Sequence, residues 1–473
     1  MTGTADIAYT SALDLAGQYR QHKLSPVEVT EALLARLDAL QPKLNAFCVV
    51  DGDGAMIAAR AAEARWRKGE PLGPIDGVPA TIKDLVPMRG FPTLRGSRLI
   101  NPNQPWDEDG PAVPRLKEAG AVILGKTTTP EFGWKAIGDS PLTGITRNPW
   151  NLDHTPGGSS AGAAAACAAG IAPLHVGSDG AGSIRIPSSF SGIFGIKATF
   201  GRVPAHPPSP MGLLSNVGPM TRHVRDAAAM LRVLSRPDYR DPYALPPDGR
   251  DSPDGRDYLN GIDDGVRGWR IAYSPDLGYA KVDPEIAAAC AAAARRFEEL
   301  GASVDIVGEI FPSPREELLT LWSAGAARVL AGFPKEQHSL CDPGMLDVVA
   351  AGERISGADF VAADLARTAL GRRMGEFHQK YDLLLTPMMP VTALPVGRDM
   401  HEGSDERNWI DWSPFSYPFN MTRQPACSIP CGLTSAGLPI GLQIVAPLYA
   451  EHRVLRAAHA FEQTQPVRRP PIA

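Results

Sequence analysis

Hydrophobic and polar positions change period repeatedly along the chain, which predicts helices alternating with short strands. Residues 24–29 have the features of a capping box, with Ser25 as N-cap, Pro26 at the first helical position and Glu28 at the third. Leucines continue at helical spacing after this start. The pattern therefore predicts a long amphipathic helix near the N-terminus.

Further elements follow from the same criteria. Short apolar runs that favour buried strands or extended segments occupy residues 46–50, 78–83, 121–124, 173–176, 269–273 and 383–385. Helices are predicted before Gly69, over 161–169 with a stop at Gly170, from Asp283-Pro284 onward, and over 451–462. This alternation of strands and helices predicts an α/β layered fold.

Residues 236–267 interrupt the pattern, since they are rich in Asp, Pro and Gly. We expect a long surface loop there, as the best candidate for a boundary or an insertion. The chain shows no internal repeat, and its 473 residues allow two or three average domains or one large one.

Composition narrows the class of protein. The 47 glycines and 45 prolines of 473 residues remain below the fraction of about 25–30% typical of low-complexity chains. The net charge of −5 without long runs of one sign argues against a nucleic-acid surface. No secretory leader is visible, and the weakly apolar residues 161–176 are too few to span a membrane. Six scattered cysteines, without metal-type spacing, predict a reduced cytoplasmic enzyme that holds no metal.

Residues 155–195 contain only two charged side chains, Asp179 and Arg185, although charged residues make up 21% of the chain. Because a lone buried charge is very costly, we expect the two to pair and to brace the loop at 180–184. The alternative is two unrelated charges on exposed turns.

The braced loop reads Gly180-Ala181-Gly182-Ser183. Consecutive small residues allow backbone N–H groups to point into one concavity, where they stabilise an anion or a developing oxyanion. The alternative is a glycine-rich turn with a solvated serine.

Two common motifs match only superficially. Residues 158–162 fit the nucleophile elbow Gly-x-Ser-x-Gly around Ser160, but the preceding residues 148–156 are polar and interrupted by proline rather than a strand. Residues 120–127 fit a phosphate-binding loop, but their interior is an apolar strand. We reject both interpretations.

Several longer motifs together resemble the amidase signature family. They comprise residues 77–84, Gly125-Lys126-Thr127 with Glu131-Phe132, Asn148-Pro149-Trp150, and residues 157–162, 177–187, 192–197 and 425–432. The resemblance covers nearly the whole chain. It implies an α/β/α layered fold with a central twisted mixed β-sheet that helices cover on both faces.

The resemblance also implies one domain over residues 5–467. Its parts would be a helical N-terminal part (5–70), the signature core (71–235), a loop and variable segment (236–380) and a C-terminal core part (381–467).

By matching motifs, the resemblance implies Ser183 as nucleophile, Ser159 as bridging serine and Lys83 as base. A lysine with a pKa near about 10.4 is protonated at neutral pH and cannot act as a base. Burial among few charges lowers that pKa, so a neutral Lys83 would accept the proton of Ser183 through Ser159.

The family also has a cis peptide before the bridging serine, here Gly158–Ser159, and an oxyanion hole that maps to the N–H groups of Gly180, Ala181, Gly182 and Ser183. Ala181 departs from the family's usual glycine and adds a methyl group to this loop. Arg423 replaces a small residue and either lines the pocket or points to solvent.

Trp134 and Lys135 fall where the family lines its substrate channel, with core packing as the alternative for the tryptophan. His154 is interpreted as structural because the lysine relay makes another base unnecessary. Cys427 and Cys431 are interpreted as buried small residues.

The sequence thus predicts a serine amidohydrolase that cleaves the C–N bond of a small-molecule amide, with side esterase activity and with no cofactor. We expect no nucleic-acid or membrane partner and, from the prevalence of such oligomers, a homodimer. Two alternatives remain: the glutaminase subunit of an aminoacyl-tRNA amidotransferase complex, and a non-catalytic binding protein.

Overall fold

The computed structural model describes residues 4–247, 256–465 and 468–472, and its centre is a mixed β-sheet. The strands are β1 (Phe47–Val50), β2 (Pro79–Lys83), β3 (Val122–Thr127), β4 (Asp139–Ser140), β5 (Gly144–Ile145), β6 (Leu174–Asp179), β7 (Phe194–Lys197), β8 (Asn216–Thr221), β9 (Arg270–Tyr273), β10 (Ser303–Ile306), β11 (Leu383–Pro387), β12 (Ala426–Leu433) and β13 (Pro439–Val445).

Within the described residues, eleven strands join one sheet in the order β1-β3-β2-β6-β8-β7-β12-β13-β11-β9-β10. Strands β3, β2 and β6 run parallel to one another, as do β11, β9 and β10 at the other end. The pairs between these two groups, and the β1–β3 pair, are antiparallel. The short strands β4 and β5 form a separate hairpin.

Alternate residues of the strands enter hydrophobic clusters on opposite faces of the sheet, as the two-residue period of a strand requires. In β11, Leu383 and Leu385 belong to one cluster and Leu384 to the other. In β9, Ile271 and Tyr273 belong to the first cluster and Ala272 belongs to the second. The sheet is therefore covered on both faces, which confirms the α/β layered fold.

Helices supply the two covering layers. They are α1 (Thr4–Tyr9), α2 (Ala12–Arg20), α3 (Pro26–Leu44), α4 (Gly52–Lys68), α5 (Ala112–Glu118), α6 (Ala161–Ala168), α7 (Arg185–Ser191), α8 (Val224–Leu234), α9 (Pro284–Glu299), α10 (Arg315–Leu330), α11 (Pro343–Gly352), α12 (Gly357–Phe377), α13 (Pro418–Met421) and α14 (Glu451–Glu462). Short 3-10 helices occupy Glu131–Gly133, Gly212–Leu214 and Lys335–Leu340.

The predicted helix ends are present. In α3 the Ser25 hydroxyl accepts from the Glu28 N–H at 3.1 Å, and the Glu28 carboxylate accepts from the Ser25 N–H at 2.8 Å. Helix α4 ends at Gly69, whose φ of +74° is easily adopted only by glycine. Helix α9 begins after the N-cap Asp283.

The prediction of a surface loop at residues 236–267 is wrong for part of that segment. Tyr258, Ile262 and Val266 are buried in the hydrophobic cluster that contains α8 and α9. The many Asp, Pro and Gly residues of this segment predict turns, and they hide the fact that these three apolar side chains, spaced four residues apart, pack into the core. Residues 248–255 of that loop, and residue 467 at the end of the predicted domain, lie outside the described residues. The prediction of a single domain stays a prediction.

Candidate active site

The polar residues of the site lie at the carboxyl ends of two neighbouring parallel strands. Lys83 is the last residue of β2, and Asp179 is the last residue of β6. Because adjacent parallel strands end at the same edge of a sheet, their terminal side chains and the following loops meet there. Ser159 lies just before the start of α6, and Ser183 lies just before α7.

The amine of Lys83 is fully buried and surrounded by oxygen atoms of serines. Its Nζ lies 2.7 Å from Ser159 Oγ, 2.9 Å from Ser160 Oγ and 2.9 Å from Ser178 Oγ. Burial lowers its pKa well below the ordinary value, although the charge of Asp179 acts in the opposite direction. The arrangement thus favours the neutral form of the amine more than water does.

The turn that carries Ser159 has no room for larger residues. The peptide bond Gly158–Ser159 is cis, as expected. A Cβ at Gly158 would lie 2.5 Å from the carbonyl oxygen of Ile137, and a Cβ at Gly133 would lie 3.1 Å from Ser159 Oγ. Glycine at these two positions lets backbone pass close to the serine, which fixes its position.

The predicted ion pair between Asp179 and Arg185 is present and fully buried. Arg185 Nε lies 3.0 Å from Asp179 Oδ2, and Nη2 lies 3.1 Å from Oδ1. Although burial raises the pKa of Asp179, the guanidinium of Arg185 and its hydrogen bonds hold it well below the ordinary value. The carboxylate therefore remains charged inside the protein.

Arg185 is held in turn by polar groups far along the chain. Its Nη1 donates to Gln443 Oε1 at 2.7 Å and to the carbonyl oxygen of Ser416 at 2.9 Å, and its Nη2 donates to Asn420 Oδ1 at 2.5 Å. These supporting residues were missed by the sequence analysis. No local motif marks them, because the contacts span more than 200 positions.

The loop between the paired charges differs in one respect from the predicted oxyanion hole. The N–H of Gly182 donates to Asp179 Oδ1 at 2.7 Å, so this amide is already engaged by a carboxylate. Among the described residues, the amides of Gly180, Ala181 and Ser183 have no such acceptor. The structure leaves these three of the four amides available. The methyl group of Ala181 is buried in a hydrophobic cluster.

Ser183 itself is 5% exposed, and within the described part of the chain its hydroxyl has no hydrogen-bond partner. The carbonyl oxygen of Ser183 accepts from the N–H of Ser160 at 3.2 Å, which joins the loop to the turn that carries Ser159. The hydroxyl group is thus free to meet a ligand, while its backbone is fixed beside the other two predicted residues.

An open cleft of about 810 Å³ lies next to these residues. Ser178, whose hydroxyl contacts Lys83, forms part of its wall together with Leu85, Arg95 and Phe132. Its rim contains six prolines: Pro87, Pro111, Pro204, Pro207, Pro208 and Pro210. Ser160 and Ser178 were missed as site residues, although both lie within the charge-poor segment.

Trp134 and Lys135 are not among the described residues that line this cleft. Trp134 is buried in a hydrophobic cluster. Lys135 Nζ lies 2.8 Å from Asp342, 3.1 Å from Asp139 and 3.2 Å from Asp399. Their contact with substrate stays a prediction, and in this structure Trp134 packs in that cluster while Lys135 is held by the three carboxylates.

Four other predicted residues lie away from the cleft. Arg423 is half-buried with a φ of +62°. His154 is half-buried, and its carbonyl oxygen accepts from the N–H of Asn148 at 2.9 Å. Cys427 is fully buried, whereas Cys431 is only partly buried.

Two negative observations apply to the described ranges. Residues 4–247, 256–465 and 468–472 contain no group of three or more His, Cys, Asp or Glu side chains that could hold a metal ion. In the same ranges no helix has both the length and the apolar character needed to cross a lipid bilayer.

Known proteins match the chain over nearly its full length. The family model Amidase matches residues 28–455. The chain belongs to the amidase family. As a member, it is a hydrolase that acts on amides.

Relatives in this family have different roles. An acylamidase of Rhodococcus erythropolis is 37% identical over 470 residues, covering 98% of this chain and 96% of the relative. A glutamyl-tRNA(Gln) amidotransferase subunit of Myxococcus xanthus is 34% identical over 484 residues, covering 95% of this chain and 96% of the relative. The crystal structure of a bacterial aryl acylamidase matches with a TM-score of 0.88 at 30% identity, covering 97% of this chain and 96% of that one.

Proposed function

We propose that the protein hydrolyses the C–N bond of small-molecule carboxamides through an acyl intermediate on Ser183. The observation that carries the proposal is the buried Lys83 amine, which lies 2.7 Å from Ser159 Oγ and contacts hydroxyl groups rather than carboxylates. A lysine with a lowered pKa is able to accept a proton at neutral pH.

In the proposed first step, Ser183 Oγ attacks the carbonyl carbon of the amide. The hydroxyl proton moves to Ser159 while Ser159 transfers its own proton to Lys83. Return of this proton along the same path to the amine nitrogen allows the C–N bond to break, and the amine leaves. Water then attacks the acyl–Ser183 ester by the same relay and releases the carboxylic acid.

The negative charge that develops on the carbonyl oxygen needs hydrogen-bond donors in a fixed position. The free amides of Gly180, Ala181 and Ser183 supply them in the proposal. Asp179 fixes the loop through the amide of Gly182, at 2.7 Å, and Arg185 holds Asp179. The ion pair therefore has a positioning role, without contact to substrate.

The proposal is tested with butyryl 4-nitroanilide and a fluorophosphonate probe. We expect turnover by the wild-type protein, labelling at Ser183 in mass spectrometry, and loss of both in Ser183→Ala. Ser435→Ala, which alters an exposed serine, is the matched control and should behave as wild type. Turnover by a folded Ser183→Ala protein would contradict the mechanism.

A second candidate is the glutaminase subunit of an aminoacyl-tRNA amidotransferase, supported by the 34% identity to the Myxococcus xanthus amidotransferase subunit. In this role the protein would release ammonia from L-glutamine for a partner subunit. Two results together would favour this role over the first. The protein would hydrolyse L-glutamine only after co-expression with the other subunits of such an enzyme, and it would not hydrolyse the anilides.

A further inference from the structure

We propose that Arg95 binds a carboxylate group of the substrate, so that the preferred substrates are amides carrying a carboxylate near the scissile bond. This inference rests on the proposed amide hydrolysis and adds the class of substrate. It concerns the wall of the cleft rather than the groups that move protons.

The backbone of Arg95 is fixed on both sides. Its N–H donates to Asp84 Oδ2 at 2.8 Å, and its carbonyl oxygen accepts from the N–H of Phe132 at 2.7 Å. Its φ of +54° lies in the left-handed region, which few residues other than glycine, asparagine and aspartate adopt readily. The surroundings therefore hold this arginine in a backbone conformation that glycine would adopt with less strain.

Arg95 lies between two clefts, and one of them is also lined by Ser178, whose hydroxyl lies 2.9 Å from Lys83 Nζ. Leu85, which also lines the cleft, lies close to the proposed relay. A Cβ added at Gly133 would lie 2.8 Å from Leu85 Cδ1 and 3.1 Å from Ser159 Oγ, so one small group would contact both side chains. A ligand in the cleft thus lies near both the guanidinium and the proposed relay.

Arg95 is half-buried, and its guanidinium lacks a counter-ion in contact among the described residues. Within the described ranges no residue forms a hydrogen bond or ion pair with it. The nearby Asp84 is engaged elsewhere, since its Oδ1 lies 2.7 Å from Lys126 Nζ. Burial lowers the pKa of Arg95, while Asp84 acts in the opposite direction. An arginine nevertheless stays charged, and a partly desolvated charge without a partner is costly.

The other lining residues indicate that the part of the ligand next to its carboxylate is apolar. Leu85, Phe132, Met211 and Val217 are apolar. The one other titratable side chain among the described lining residues is that of His206, whose Nε2 lies 2.9 Å from Glu108 Oε1. A planar guanidinium fork binds a carboxylate through two parallel hydrogen bonds. The cleft therefore fits a carboxylate joined to the amide by a short hydrocarbon segment.

The carboxylate can belong to the acyl group or to the amine, and two pairs of compounds distinguish these sources. Glutaryl 4-nitroanilide is compared with butyryl 4-nitroanilide, and N-butyryl-4-aminobenzoate is compared with butyranilide. In at least one pair we expect the wild-type protein to prefer the charged member in kcat/KM by about 10- to 100-fold, the size of a hydrogen-bonded charge contact.

Arg95→Met should abolish this preference by lowering kcat/KM for the charged member toward that of the neutral member. Arg95→Asn, whose side chain tolerates the left-handed backbone, provides a second variant and should lose the preference as well. Arg98→Met removes a neighbouring exposed arginine and should retain it. Thermal unfolding of each variant reports whether it is folded.

Hydrolysis of both members of each pair at equal kcat/KM by the wild-type protein would overturn this inference alone. So would a preference that survives in both Arg95 variants. Failure of the wild-type protein to hydrolyse any of the four compounds would contradict the proposed function, and this inference with it.

Discussion

Two buried lysines in neighbouring parts of the molecule have opposite electrostatic surroundings. Lys83 is 0% exposed and contacts the hydroxyls of three serines, whereas Lys135 is 3% exposed and contacts three carboxylates. Burial lowers the pKa of Lys83. It acts in the same direction on Lys135, but Asp139, Asp399 and Asp342 together raise that pKa above the ordinary value.

The difference shows that burial alone does not decide the protonation of a lysine. A carboxylate in contact keeps the ammonium form, while hydroxyl groups solvate the amine without adding negative charge. The first lysine is therefore suited to proton transfer. The second joins the segment after Trp134 to α11 and to the loop around Asp399, which is a structural role.

The largest expected effect is on catalysis. Lys83→Met should reduce kcat/KM for butyryl 4-nitroanilide by about 10⁴-fold or more, as loss of a proton-transfer group does in serine hydrolases. A folded variant with wild-type rates would contradict the role of Lys83 as base.

The same substitution should also change how the stability of the protein depends on pH. Because the pKa of Lys83 is lowered in the folded state, unfolding takes up a proton over the range between the folded and unfolded pKa values, and stability rises with pH toward the unfolded value of about 10.4. Lys83→Met removes this proton uptake, so we expect a shallower increase of stability with pH. Urea unfolding between pH 6 and pH 9 measures it.

A carboxylate placed beside Lys83 would make its surroundings resemble those of Lys135. Ser178→Asp substitutes the residue whose hydroxyl lies 2.9 Å from Lys83 Nζ. An opposite charge in contact raises a lysine pKa by about 1–3 units, so the rate at pH 7 should fall about 10- to 1000-fold and recover at higher pH. Ser178→Asn, which adds similar bulk without charge, is the control. A pH–rate profile that does not move relative to this control would contradict the comparison.

Removal of the other lysine should affect stability rather than proton transfer. Lys135→Met leaves three carboxylates without their cation, and breaking such a buried pair costs about 3–5 kcal/mol. Because the pKa of Lys135 is raised in the folded state, its contribution is fully present below about pH 10.4 and declines as the pH rises beyond it. The alkaline dependence of unfolding should therefore weaken in the variant.

The activity of Lys135→Met supplies the contrast with Lys83→Met. We expect its pH–rate profile to keep the wild-type shape, measured at a temperature where the variant remains folded. A shift of the profile would mean that the cluster around Lys135 influences the proton relay.

The smallest effect is expected for one member of that cluster. Asp342→Asn removes one carboxylate but keeps a side-chain oxygen that caps α11, where Asp342 Oδ1 now accepts from the Gly344 N–H at 3.0 Å. The loss should be about 1–2 kcal/mol in urea unfolding. A loss as large as that of Lys135→Met would mean that the three carboxylates do not share the cation.

Local chemistry explains which features could be predicted from the sequence. The capping box at Ser25 and the pairing of Asp179 with Arg185 depend on residues a few positions apart and on the cost of an unpaired buried charge. The proposed relay residues came from the resemblance to a known family. The same resemblance predicted the cis peptide before Ser159, which is present.

Long-range packing explains what could not be predicted. Asn420 and Gln443 reach Arg185 from the C-terminal part of the chain, and no spacing pattern indicates such a contact. The carboxylates around Lys135 come from three separate segments, so no local pattern predicted its ion pairs. Charge density along the sequence was informative only where one continuous segment builds the site.

Helix α6 consists of small residues, all of them buried. At Gly162 an added Cβ would lie 2.1 Å from the carbonyl oxygen of Ala46 and 2.5 Å from the N–H nitrogen of Thr128. For anyone who wishes to alter the substrate range by directed evolution, Gly162 of this helix, which directly follows Ser159 and Ser160 in the chain, tolerates no enlargement. Libraries are better placed on the cleft wall around Leu85, where side chains rather than backbone define the available shape.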